Sequence, residues 1–429
     1  MVGQFSIETQ WLEGRSIPSE GIAATIGDLT IKVADRNVTS YETSSRDREE
    51  SIRIPLYYVA EWLAVNWWAI LWEPHKNDEI GDEPDFRSRH WLINSQHGFA
   101  LPNVQFVSTG EAISVYAEKR TPQYADAFFN ATSNALVSRT VLEQNLRSFI
   151  ESVSKRAGER KLDPLYEAWS LVQNTGEEAQ DFCRLIGALG LSPYDTHPGI
   201  EQALDMASEI LSAKQIEDLC LTSTPDNIVK STYVAAFIQT SMATKSNVAI
   251  NMLPSIELPR DRVDGPAWNV GARTAQRLRT AFHLKDDDLI GSSKVFDQIG
   301  LDVGSKSDVN IRVNDLTIIG AVDRLDTYAR VALTQDGLAS RRFAAARATY
   351  LLLRSDIRTS RLITTAATRD QQASRAFAAE LLVPHSAVRE RSRNMKLPQD
   401  VVYELAVEAT VSPEVIRYQA VNHGLTISR

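Results

Sequence analysis

Cysteine and histidine are the scarce residues of this chain, and their scarcity removes whole classes of chemistry. Only Cys183 and Cys220 are present among 429 residues, so neither a thiolate metal cluster nor a disulfide-stapled fold is available. Two isolated thiols, with no basic patch and apolar run at the N-terminus to suggest a secretory signal, fit a reducing cytoplasm, both thiols buried. The histidines number seven, and none has a partner at metal-ligand spacing. Long apolar runs are also missing. The richest, Tyr57 to Trp72, is broken by Glu61 and Asn66, far from the roughly 18 unbroken residues that a membrane span needs. No Gly-x-Ser-x-Gly elbow and no glycine loop ending in Gly-Lys-Ser/Thr occurs, which argues against a serine hydrolase and a P-loop nucleotide site. There is no internal repeat and no low-complexity tract. A formal net charge of -9 argues against coating nucleic acid, although a local basic face could still bind it.

What remains is an ordinary globular composition, 43% hydrophobic and 24% charged, on a chain long enough for two or three domains. Residues 1–125 mix strand and helix signals. Phe5 to Trp11 and Leu29 to Val33 alternate as strands do, a polar loop spans Ser40 to Glu50, and Pro55 is placed to open an amphipathic helix over Leu56 to Leu71. Strands are expected at Asn103 to Ser108 and Ala112 to Ala117. Trp62, Trp67, Trp68, Trp72 and Trp91 hold five of the eight tryptophans, either as a core or as a partner-binding anchor. His90 and His97 lie beside them without a nucleophile or a second ligand.

Residues 126–262 switch to a helical period. Leu136, Val141, Leu142, Leu146, Ile150 and Val153 recur at three- and four-residue spacing. Further helices are read at Glu177 to Leu189, stopped by Gly190, at Ile200 to Leu211 and at Ala213 to Leu219. This stretch is expected to be a helical middle domain. A third domain, residues 266–429, opens with a helix whose face carries Trp268, Ala272, Ala275, Leu278 and Phe282. Strands Leu316 to Val322 and Thr327 to Leu333 follow, then helices Arg342 to Arg354, Gln371 to Leu382, Gln399 to Ala409 and Ser412 to Asn422. The fold class is therefore α+β and predominantly helical, with a small sheet in the last domain.

The local sequences of that last domain are more specific. Arg342-Phe343-Ala344-Ala345-Ala346 leads into Leu351-Leu352-Leu353. Ala373 to Pro384 reads Ala-Ser-Arg-Ala-Phe-Ala-Ala-Glu-Leu-Leu-Val-Pro. Leu405-Ala406, then Val411-Ser412-Pro413-Glu414-Val415-Ile416 and Gln419, closes the chain. In this order the segments resemble the active-site helix, second signature helix and terminal helix pair of the ImmA/IrrE metallopeptidases. The resemblance, over about residues 266–429, implies a zincin-like fold and a bacterial or phage-related setting in stress response, mobile-element control or antiviral defence.

A zincin needs two imidazoles at i and i+4 on one helix face, and a glutamate to activate zinc-bound water. The matching window is Arg347, Ala348, Thr349, Tyr350 and Leu351. Aligned from Phe343, Arg347 and Leu351 stand at the ligand positions and Ala348 at the base. Aligned back from the leucine run, Ala346 and Tyr350 stand there, with Arg347 as the base. Neither register supplies a ligand pair, so no catalytic residue, metal or cofactor is expected. In the family an acidic ligand precedes the second signature helix. Here Asp370 and Glu380 are nearby acids, but Gln371 and Gln372 fill much of that stretch.

The expected function is thus a non-catalytic, metallopeptidase-like binding or regulatory protein acting through a protein partner, in the cytoplasm and without a membrane. Two alternatives stay open. One is a zinc peptidase with non-standard ligands drawn from His283, His385, His423 and Asp370. The other is a DNA-binding regulator whose terminal helix pair would present Arg417, Gln419 and Asn422. Arg341, Arg342, Arg347 and Arg354, with Arg358 and Arg361 beyond, read either as an anion-binding face or as a helix surface paired with acids such as Asp356. Ser412 is placed to cap the last helix, with Pro413 in its first turn.

Overall fold

The computed structural model describes residues 4–13, 20–76, 84–95, 97–158, 163–243, 245, 248–254, 256, 265–304, 306, 308, 317–354 and 358–428. The chain divides into two compact units that change over between Thr196 and His197, and both are mixed α+β with helix predominant.

The first unit runs β1 (Phe5–Trp11), β2 (Ile26–Val33), β3 (Arg36–Asn37), β4 (Tyr41–Glu42), β5 (Arg48–Glu49), β6 (Ile52–Pro55), α1 (Tyr57–Val65), α2 (Trp67–Trp72), α3 (Pro84–His90), β7 (Asn103–Ser108), β8 (Ala112–Glu118), β9 (Ser133–Ser138), α4 (Arg139–Ala157), α5 (Pro164–Gln173) and α6 (Glu177–Ala188). β2 is the hub of one antiparallel sheet, paired with β1, β3 and β6, while β7, β8 and β9 form a second. Alternation drives the first sheet: Leu29, Ile31 and Val33 are buried and their neighbours are not. Trp62, Trp67, Trp68 and Trp91 are all buried, so this cluster is core.

Several expectations change here. Pro55 ends β6 instead of opening a helix, and the apolar run is two helices, interrupted at Asn66, whose side-chain amide donates to the Trp62 carbonyl. Leu136 belongs to β9, and the helix starts at Arg139, capped by the Ser138 hydroxyl. The polar stretch Ser40 to Glu50 contains the short hairpin of β4 and β5. A separate helical middle domain does not form. α4 to α6 bury Leu142, Leu146, Phe149, Trp169 and Cys183 in the core of this first unit, and the helices after Thr196 join the second.

That second unit runs α7 (Pro198–Ile210), α8 (Ala213–Thr222), α9 (Ile228–Met242), α10 (Ala267–Ala281), α11 (Ser292–Ile299), β10 (Ile318–Arg324), β11 (Ala329–Leu333), α12 (Leu338–Arg354), β12 (Ser360–Thr364), α13 (Arg369–Leu382), α14 (His385–Glu390), β13 (Lys396–Pro398), α15 (Gln399–Ala409), α16 (Pro413–Asn422) and β14 (Thr426–Ser428). Its main sheet is antiparallel in the order β11-β10-β12. β12 was not foreseen, and the expected strand start at Leu316 lies outside the described residues, as does Asp356. Trp268 is 42% exposed, so α10 turns Gly271, Ala275 and Leu278 inward instead. Gly271 is needed there, because a Cβ would lie 2.0 Å from the Ala373 carbonyl oxygen of α13. Ser412 sits at the N-cap of α16, but its side chain makes no capping bond. No helix among the described residues is long and apolar enough to cross a membrane.

One buried ionic group in the first unit sets a pH dependence. The Glu73 carboxylate accepts from Arg89 Nε and Nη2, at 2.9 and 2.7 Å, and lies 3.0 Å from His90 Nε2. A side chain at Gly190, whose φ is +79°, would strike this pair. Burial alone would raise the Glu73 pKa, but the bonds to His90 and Arg89 outweigh it and hold it at about 2. Because the folded value is depressed, its stabilisation is full above the ordinary carboxylate range and is lost as pH falls toward 2. The shift corresponds to about 3 kcal/mol. In acid titrations of unfolding free energy, Glu73→Gln is expected to flatten the slope between pH 4.5 and 2. An unchanged slope would refute the assignment.

Candidate functional site

Helix α12 enters at Gly337 and is buried along most of its length. Arg347, Ala348, Thr349, Tyr350 and Leu351 are all at or below 1% exposure. Thr349 returns its hydroxyl to the Ala345 carbonyl at 2.9 Å, and the Tyr350 ring packs against Phe377 of α13, 5.4 Å between centroids. The polar member is Arg347. Its Nη2 donates to Gln371 Oε1 and to the Thr364 carbonyl, both at 2.6 Å, and its Nε to Ser374 Oγ at 3.0 Å. These acceptors are neutral. Burial, with Arg375 as a nearby like charge, lowers its proton affinity well below the usual arginine value.

A second arginine fixes the same strand. Arg361 in β12 makes a two-pronged bond to Asp218 of α8, at 2.8 and 3.0 Å, and a third bond to Asp370 at 3.1 Å. Burial would lower its pKa, but the two carboxylates more than offset this and raise it. Asp370, one of the acids considered as a ligand, is therefore committed to Arg361.

Together these side chains close the outer edge of β12. The Leu362 N–H donates to Asp218 Oδ2 and its carbonyl accepts from Gln371 Nε2. The Thr364 N–H donates to Gln371 Oε1 and its carbonyl accepts from Arg347. All four outward backbone groups of Leu362 and Thr364 are thus satisfied by side chains. The side chains at these positions do not fit a divalent ion: in either register α12 offers no imidazole or carboxylate, and position 347 presents a guanidinium.

The other arginines do not share a face. Arg341 is buried against Asp308 and the carbonyls of Asp302 and Leu333. Arg342 donates to Ser292 and Ser293 of α11. Arg354, at the end of α12, is half-buried, and Arg358 pairs with Asp326. An anion-binding surface built from Arg341, Arg342 and Arg347 is therefore corrected to three inward contacts with different partners. In the terminal pair, Arg417 bonds Glu414 and lies over the Tyr403 ring, and Asn422 is exposed. Gln419 is buried and donates to Glu380 Oε2 at 2.9 Å and to the Val383 carbonyl at 2.7 Å. It packs α16 onto α13 and cannot reach a DNA groove.

Of the dispersed histidines, His283 is exposed at the end of α10, whereas His385 and His423 meet. Their rings stack 4.5 Å apart at 19°, and with Glu380 they form the one group of three potential metal ligands found among the described residues. Burial and then His385 lower the His423 pKa, against an opposing effect of Glu380. Sequence spacing hid this group, since His385 and His423 come from separate helices. No family model, curated protein or solved structure matches this chain.

Three substitutions test this geometry in denaturant unfolding. Arg347→Ala empties a buried site and strips acceptors, and is expected to cost about 3 kcal/mol. Arg347→Met fills the space without a buried charge and is expected to cost only about 1 kcal/mol. Equal costs would mean that the bonds contribute nothing beyond volume. Asp218→Asn leaves Arg361 with one carboxylate and is expected to lose about 3 kcal/mol.

Proposed function

We propose that the C-terminal unit is a non-catalytic, metallopeptidase-like module that works through contacts with a protein partner. The observation that carries this is the bond between Arg347 and Gln371. In the register taken from Phe343, position 347 is that of the first histidine ligand, and Gln371 falls in the stretch where the family carries its acidic ligand. The two positions that would share a zinc ion share a hydrogen bond instead. Their meeting supports that register, and the resemblance with it, while their chemistry supports loss of hydrolysis.

The closed edge of β12 bears on how a partner would bind. A peptide adding as a further strand there would have to displace Asp218, Gln371 and Arg347 from the backbone. Exposed apolar side chains lie instead on the last helices: Tyr403 and Val407 on one turn spacing of α15, Tyr418 and Val421 on α16, each more than half exposed. A bacterial setting in stress response, mobile-element control or phage defence follows from the resemblance alone.

Full-length protein supplied with zinc is expected to leave casein uncut. Cleavage that a chelator stops and a substitution in α12 abolishes would overturn the proposal. Cross-linked capture from the native host is expected to recover a partner whose yield falls at least tenfold with Val407→Asp and Val421→Asp combined.

A further inference from the structure

We infer that His385 and His423 form a bis-imidazole site for a divalent transition-metal ion of the zinc type, with Glu380 holding the first ring in place. The site lies apart from the buried helix around Arg347, and the inference does not depend on the function proposed for that helix.

The two rings come from different elements. His385 opens α14 directly after Val383-Pro384, and His423 ends α16. His385 is held at two points by one carboxylate: its backbone N–H lies 3.2 Å from Glu380 Oε2 and its ring Nδ1 2.8 Å from Oε1. A ring nitrogen bonded to a carboxylate leaves Nε2 as the metal-binding atom and fixes where it points, the arrangement common behind metal-bound histidines. His423 stacks on that ring nearly parallel. Potential ligand atoms of the group all lie within 4.8 Å of one another, and ligands of a tetrahedral ion stand about 3.3 Å apart. Ligation requires the half-buried His423 ring to rotate out of the stack, turning its in-plane lone pair toward His385 Nε2.

Glu380 is better placed to orient than to ligate. It is 1% exposed and also accepts from Gln276 at 3.1 Å and Gln419 at 2.9 Å. With the two bonds from His385, that makes four donors, a carboxylate's whole acceptor capacity. The same saturation leaves Glu380 no free lone pair to act as a base, which suits a structural clasp. Two imidazoles, with water completing the shell, favour zinc, nickel or copper over magnesium or calcium. Bound metal would tie the terminal helix to the corner between α13 and α14, where Gln419 already anchors it.

The test is calorimetric titration of the tag-free, chelator-treated full chain with zinc sulfate, alongside thermal unfolding. One equivalent is expected to saturate the wild type, and excess zinc to raise its melting temperature by several degrees. Magnesium is expected to do neither. His423→Phe and His385→Phe keep a ring in the stack but remove the nitrogen, and each is expected to weaken binding at least tenfold and abolish the thermal shift. His283→Ala should behave as wild type. If His385→Phe does not fold, His423→Phe decides alone. No saturable binding, or wild-type affinity in a folded His423→Phe protein, sinks the inference.

Discussion

The second unit depends on satisfying one strand along both of its edges. The inner edge of β12 pairs with β10. Among the described residues its outer edge has no neighbouring strand, yet it lies in a buried setting where an unpaired N–H or carbonyl costs about 1–3 kcal/mol. Three elements send side chains to it: α8 supplies Asp218, α12 supplies Arg347, and α13 supplies Gln371. Those bonds tie the three helices to the sheet.

Two guanidiniums serve that strand under opposite electrostatics. Arg361 faces Asp218 and Asp370, and its proton is held more tightly than in water. Arg347 faces an amide oxygen, a hydroxyl and a carbonyl, and its charge is disfavoured. The same group is stabilised in one place and strained in the other because only one has carboxylates. A residue that carries an uncompensated charge into a core is retained only if its hydrogen bonds offset the desolvation. Here they complete the strand edge. The arginine therefore does structural work, at the position that the proposed register from Phe343 assigns to a metal ligand.

The elements of both units were largely legible from periodicity, because burial alternates along β2 and most of β8 and repeats helically along α15. What escaped was set by contacts distant in sequence. β12 is five residues long, and its pairing depends on β10 and on Asp218, 143 residues before Arg361. The change of unit after Thr196 could not be read because α4 and α8 are amphipathic alike and differ only in the sheet they cover. At the site, the absence of a histidine pair in α12 was visible directly. The engagement of Arg347 with Gln371 was not, although both residues were singled out, since their meeting needs two helices side by side. The arginine-rich look of α12 misled for the same reason: charge in sequence does not say which face is outside.

Closing the edge of β12 also bears on the binding role proposed above. Recognition of an extended peptide at a sheet edge works by backbone pairing, which is tolerant of sequence. With that edge capped, the protein partner proposed above would be recognised through side-chain surfaces, which are more selective. The terminal helices are suited to that task only if α16 keeps a fixed pose. Gln419 fixes it from inside through Glu380 and Val383, and the stacked His385–His423 pair lies one turn farther along the same helix. Glu380 is the shared anchor of both contacts. A change that repositions its carboxylate would shift the last helix without touching the exposed residues that the proposal assigns to a partner.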